Sequence, residues 1–173
     1  PMLTFWLLIG LGSIVLATGL FSGPDPLAKW TSAEIGFLIA GAINKYVYVN
    51  VTRPFSRGIV LKYSKVEKVF EVDEIQNPII RESIRLFNLS SPQIEVSTIA
   101  DIPSGTGLGS SGSFTTGLLR ALHAHLHKPL HANELAELAC DVEINKLNEP
   151  IGKQDQYIAA FGGLTAFTFK KDG

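Results

Sequence analysis

Ten consecutive residues constrain this chain more than any others: Pro103-Ser104-Gly105-Thr106-Gly107-Leu108-Gly109-Ser110-Ser111-Gly112. They hold four glycines and three serines. A strand-like alternation precedes them, with Ile94, Val96 and Thr98 opposite Glu95, Ser97 and Ile99. A long helical pattern follows, with Phe114, Leu118, Ala121 and Leu122 on one face and Thr116, Arg120, His123 and His127 off it. Glycine allows positive φ and lets another group approach the backbone closely. A glycine-rich turn that opens a helix offers free N–H groups at the positive end of the helix dipole. Serine hydroxyls can add contacts to phosphate oxygens or to Mg²⁺. The expected ligand of such a loop is a nucleotide phosphate.

Two common phosphate loops do not fit. Gly107-Leu108-Gly109-Ser110-Ser111-Gly112 has the spacing of the dinucleotide fingerprint, but that motif needs an acidic residue about 20 positions on at the end of a second strand. Here that region carries Glu134 and Glu137 within a helical pattern. The Walker loop ends on a lysine next to Ser or Thr, and no lysine follows these glycines.

The 173 residues suit one domain with a real core, and 46% hydrophobic against 18% charged residues describes a folded protein. A net charge of -1 makes no electrostatic case for nucleic acid or an anionic membrane. The single cysteine, Cys140, reads as a small buried helix residue and excludes an internal disulfide. His123, His125 and His127 read as surface residues, because only His123 and His127 share a helical face and no further ligand completes a metal set.

The remaining pattern predicts an α+β chain. Tyr46 to Val51 and Gly58 to Phe70 read as strands, Asn77 to Asn88 as a helix, and Leu135 to Val142 as part of another. Ser22 to Pro26 is a turn cluster, and Asn148 to Gly152 interrupts the helical pattern. Tyr157 to Phe161 is a short helix, stopped by Gly162-Gly163, and Leu164 to Phe169 alternates as a strand. Residues 2–21 form an uncharged apolar run about as long as a membrane-spanning helix needs, roughly 20 residues. It lacks the preceding positive charge of a signal peptide and contains Gly10, Gly12 and Gly19. A buried strand or helix, or a membrane segment, are the readings it allows.

Two acidic residues downstream stand out. Glu143 lies beside the apolar stripe of its helix, with Ala136, Ala139, Cys140 and Leu147 as helical neighbours. A carboxylate there needs a partner, and a boundary salt bridge would supply one. Asp155 follows the Pro150-Ile151-Gly152 break and so falls near the start of a helix, where an aspartate is favoured as N-cap or in the first turn.

The string Pro103 to Ser113 resembles the second motif of the GHMP kinases, which cover ATP phosphates without a Walker lysine. Gly152-Lys153-Gln154-Asp155-Gln156 resembles the Gly-x-x-Asp-Gln string of the family's galactokinases, and its distance from Glu143 also fits. The resemblance implies a GHMP kinase N-terminal domain, a ribosomal protein S5 domain 2-like α+β fold, over residues 36–173. It implies that Pro103, Gly105, Thr106, Gly107, Leu108, Gly109, Ser110, Ser111 and Gly112 bind ATP. It implies that Ser111 and Glu143 hold Mg²⁺, and that Asp155 takes the proton from the substrate hydroxyl. Ala42-Ile43-Asn44-Lys45-Tyr46-Val47, Asn77-Pro78-Ile79-Ile80-Arg81-Glu82 and Glu149 to Tyr157 resemble the branch acting on heptose 7-phosphate. ATP and a sugar phosphate phosphorylated on its anomeric hydroxyl are then the expected partners, in a cytoplasmic enzyme. Lys153 could meet the sugar phosphate or simply be solvated.

Two departures accompany the resemblance. The family's first motif, an arginine-containing strand and a glycine-rich sugar-binding turn, should precede residue 36. Leu11 to Gly19 stands there instead. Residues 1–35 are therefore an atypical segment, expected as the product of a shifted reading frame or as a membrane segment. The family's C-terminal domain is absent, so an incomplete and inactive site is expected of the chain alone. A nucleotide-binding module without catalysis and a membrane-anchored relative are the rival expectations.

Overall fold

The structure, a computed structural model, describes residues 5–10, 13–18, 34–87, 93–101, 103 and 109–170. Side chains are described from residue 38 onward, short of Lys170. Gly105, Thr106, Gly107 and Leu108, named above for ATP, and the turn at Ser22 to Pro26 lie outside the described residues.

Two four-stranded sheets carry the fold. The first runs β1 (Phe5–Gly10), β2 (Ser13–Thr18), β3 (Glu34–Gly41) and β8 (Leu164–Lys170), antiparallel throughout. The second has the order β4 (Val47–Thr52), β7 (Ile94–Ala100), β5 (Ile59–Lys62), β6 (Val66–Val69). Among the described strands only β5 and β7 pair in parallel, and the connection between them contains β6 and helix α1 (Pro78–Arg85). Helices α2 (Ser110–His125), α3 (Ala132–Cys140) and α4 (Gln154–Phe161) complete the layers.

Of the readings allowed for residues 2–21, the described residues take that of strands. Residues 5–10 and 13–18 are two paired strands, with Phe5 opposite Thr18 and Gly10 opposite Ser13. β1 ends on Gly10, and six residues of apolar chain suit a strand as well as a helix. Among the described residues no helix is long and apolar enough to cross a membrane. The strand expected from Gly58 to Phe70 is two strands, β5 and β6, joined by a turn in which the Tyr63 N–H donates to the Lys65 carbonyl at 2.9 Å. Tyr63-Ser64-Lys65 contains no glycine or proline, so the turn leaves little trace in the sequence.

Helix α1 starts where its residues dictate. The Asn77 side chain accepts from the Ile80 N–H at 3.0 Å, Pro78 needs no donor partner in the first turn, and Arg85 sits at the negative end. Its Ile80 and Ile84 pack with Ile59, Leu61, Ile94 and Val96 of the second sheet and with Leu118 and Leu122 of α2. Leu119 faces a different cluster, with Leu135, Ala139 and Val142. A third cluster joins Leu38 and Ala40 of β3 to Ile158 of α4.

Helix α2 is thus the central element, in contact with β4, α1, α3 and α4. That is why Thr116, expected off the buried face, is 2% exposed. A helix packed on several sides has no single apolar stripe. Leu118→Ala should lower stability by about 2–5 kcal/mol, the usual range for a leucine lost from a core. Urea denaturation measures it; a loss under about 1 kcal/mol would mean that α2 is not the element on which the layers close.

Candidate active site

The site is built where the first turn of α2 meets the first turn of α4. Gly109 precedes α2 with φ +66°, a left-handed conformation that favours glycine. A Cβ placed there would stand 3.0 Å from Asp155 Cγ. A Cβ on Gly112 would stand 2.9 Å from Asp155 Cβ and 3.2 Å from the Gln156 nitrogen. What comes close to these two glycines within the protein is therefore the Asp155 side chain.

Glu143 reaches the same place from another direction. After α3 the chain loosens its ladder into a wider winding over Asp141–Lys146, closed by the Leu147 N–H donating to the Val142 carbonyl at 3.1 Å. Such i→i+5 turns change which face of a helix a side chain leaves from. Here Glu143 is 0% exposed. The Ser111 hydroxyl donates to its Oε1, and Gln156 Nε2 donates to its Oε2 at 2.5 Å. The Thr115 hydroxyl lies near the same carboxylate but outside hydrogen-bond geometry.

The salt bridge expected for Glu143 is absent: among the described residues no cationic side chain pairs with it. The small neighbours Ala136, Ala139 and Cys140 admit no base; the partners are a hydroxyl and an amide. Burial pushes the Glu143 carboxyl above the usual range, the bonds from Ser111 and Gln156 pull it down, and the charge of Asp155 raises it again. Asp155 is raised by burial.

The structure thus brings together Gly109, Ser111, Gly112, Glu143 and Asp155. Ser110, Ser111 and Pro103 also line a cleft of about 720 Å³, whose other walls include Tyr63, Asn77 and Phe114. That volume is within the roughly 300–1,000 Å³ of small-molecule sites. Lys153 does not join the cluster. Its Nζ is 3.2 Å from Glu137 Oε2, and Glu137 also accepts from the Tyr157 hydroxyl. Both bonds lower the Glu137 carboxyl, the tyrosine bond most. Gln156, quoted above only as the last residue of its string and given no role, is the amide partner of Glu143. It is 0% exposed, and its only sequence signal was its place after Asp155.

Hydroxyl and carboxylate oxygens are the donors that suit Mg²⁺, which takes one or two protein carboxylates and completes its shell with water and substrate phosphates. Among the described residues there is no group of three or more His, Cys, Asp or Glu able to hold a metal by itself. The residues present fit a metal shared with a bound phosphate.

Residues 77–163, just over half of the chain, match the family described as the GHMP kinases N terminal domain. This chain belongs to that family. It is 26% identical over 165 residues to the D-glycero-alpha-D-manno-heptose 7-phosphate kinase of Campylobacter jejuni, covering 89% of this chain and 49% of that protein. It is 22% identical over 143 residues to the galactokinase of Thermotoga neapolitana, covering 79% of this chain and 41% of the relative. The crystal structure of a D-glycero-D-manno-heptose 1-phosphate kinase from Bacteriodes thetaiotaomicron superposes with a TM-score of 0.74 at 26% identity, over 91% of this chain and 55% of the other. The chain spans about half the length of the curated relatives it matches.

Gly112→Ala should cost about 1–3 kcal/mol in chemical denaturation, because the new methyl meets Asp155 Cβ and backbone rather than a flexible tip. Asp155→Asn should act in the opposite direction. A carboxyl raised by burial contributes stability while protonated, and loses it as pH rises through its folded pKa. The amide should therefore raise Tm near pH 7, with the gain shrinking as pH falls toward about 4, the ordinary aspartate value. Thermal melts at both pH values measure this; equal Tm for variant and parent near pH 7 would contradict the burial cost.

Proposed function

We propose that this chain forms the ATP-binding half of a sugar kinase that phosphorylates the anomeric hydroxyl of a heptose 7-phosphate. The observation that carries the reading is the convergence of two desolvated carboxylates, the buried Glu143 and the partly buried Asp155, on the N-terminal turn of a 16-residue helix, neither with a cationic partner among the described residues. Uncompensated buried charge is costly, and a metal–phosphate group would offset that cost. The named activities of the relatives support the reading, and the heptose assignment rests on them.

In this proposal ATP lies in the 720 Å³ cleft. The base meets the wall that includes Tyr63 and Phe114. The phosphates meet the loop of Pro103, Gly105, Thr106, Gly107, Leu108 and Gly109 and the amides of Ser110, Ser111 and Gly112 at the positive end of α2. Ser111 and Glu143 would hold Mg²⁺, which when bound neutralises charge on the phosphates. Gln156 keeps Glu143 aimed at that position. Asp155 orients the acceptor hydroxyl and takes its proton, and a carboxyl raised by burial is a better base than one in water. Lys153 is open to a sugar phosphate only once its pair with Glu137 opens. The boundary near residue 35 and the cytoplasmic location belong to the same proposal.

The test is Mg²⁺-dependent phosphorylation of a panel of sugar phosphates by the intact protein, followed by ³¹P NMR. Heptose 7-phosphate should give a product phosphorylated at the anomeric oxygen. Asp155→Asn should lower kcat by about 10²–10⁴-fold, the usual contribution of a proton-transfer group, while ATP binding survives. Unchanged turnover removes Asp155 from the chemistry. ATP binding without any turnover favours a non-catalytic nucleotide module instead.

A further inference from the structure

Strand β6 alternates, and its burial places residue 67 on the inward face, where an apolar side chain is expected. Glutamate stands there. It is 7% exposed, and among the described residues it has no cationic partner. Its two oxygens are used separately. Oε1 accepts from the Tyr63 hydroxyl, and Oε2 accepts from the Gln76 N–H at 2.8 Å. Stability alone does not call for this arrangement, since an apolar residue could fill the space without the desolvation of a charge.

The two partners belong to two walls of one cleft. Tyr63 and Ser64 line it from the β5–β6 turn, and Asn77 and Ile79 line it from the start of α1. Gln76 immediately precedes Asn77, whose side chain caps α1. The segment is held from its other side too, by Arg81 Nη1 donating to the Ile75 carbonyl at 2.9 Å. Tyr63 and Ile79 also pack on one apolar cluster, and Glu67 adds the side-chain hydrogen bonds that tie the turn to the segment before the helix. From this geometry we infer that Glu67 is a positioning residue. It bridges the β5–β6 turn to the start of α1 and so sets the width of the cleft where a nucleotide base would lie. Burial and the bond to Glu67 push the Tyr63 phenol up to about 12, so it remains a proton donor in this bridge.

The inference rests on the nucleotide reading of the cleft, and its test separates the two. A fluorescent ATP analogue is titrated into the parent protein, Glu67→Ala and Tyr63→Phe, and steady-state kinetics are recorded for each. The parent should bind. Glu67→Ala removes both bonds of the bridge and should raise the nucleotide Kd and KM by about 10-fold or more. Its kcat and its KM for the sugar phosphate should stay within about twofold, as they depend on the α2–α4 site and not on this wall. Tyr63→Phe keeps the ring and breaks one link; it should give a smaller rise in the same direction and keeps the test informative should Glu67→Ala fail to fold. A merely structural glutamate would lower Tm and the active fraction while leaving KM unchanged. Unaltered nucleotide affinity in both folded variants overturns the positioning role and leaves the nucleotide reading standing. A parent protein that does not bind the analogue overturns both.

Discussion

The site depends on one close approach: α4 lies against the bare backbone of α2 at Gly109 and Gly112. With a Cβ at position 112, Asp155 Cβ would be closer than atoms pack and the Gln156 nitrogen would be a tight contact. Moving α4 outward would withdraw Asp155 and Gln156 together, since they are adjacent. Gln156 holds one oxygen of Glu143, and Ser111, next to Gly112, holds the other. The absence of two side chains therefore keeps four polar groups in register.

That register is maintained against an electrostatic cost. Two carboxyl groups, the buried Glu143 and the partly buried Asp155, lie near each other, each raised by desolvation. The surrounding apolar clusters hold them there. Leu119, Leu135, Ala139 and Val142 fix α3 and its widened last turn against α2, and Ile158 fixes α4 to β3 and β8. Cys140 shares this interior. Burial pushes its thiol up to about 12, so it packs as a small apolar residue with no thiolate chemistry.

The cleft beside this site is framed by polar fastenings at its edges. Asp101 closes the end of β7 onto the start of β4: the Tyr46 N–H donates to Asp101 Oδ2 at 2.9 Å, and the Asp101 N–H returns to the Tyr46 carbonyl at 3.0 Å. Glu67 plays the corresponding part on the opposite wall. Asp101 sits where the chain leaves β7, and Glu67 sits inside β6 just past the β5–β6 turn.

Much of this was legible from residue types. Sequence alone determined the helix that begins at Asn77-Pro78, the strand before the glycine loop and the helix after it, because helical spacing, alternation and glycine runs act over a few residues. The split of β5 from β6, the breaking of the apolar run at residues 5–18 into paired strands, and the burial of Thr116 were not legible. Each depends on what packs against the segment from elsewhere in the chain. Only the tertiary structure decided that Glu143 would be satisfied by a hydroxyl and an amide instead of a base, and that Gln156 would be one of its two donors. Those partners lie 32 and 13 residues away along the chain, and a wider helical turn had to rotate the carboxylate inward to meet them.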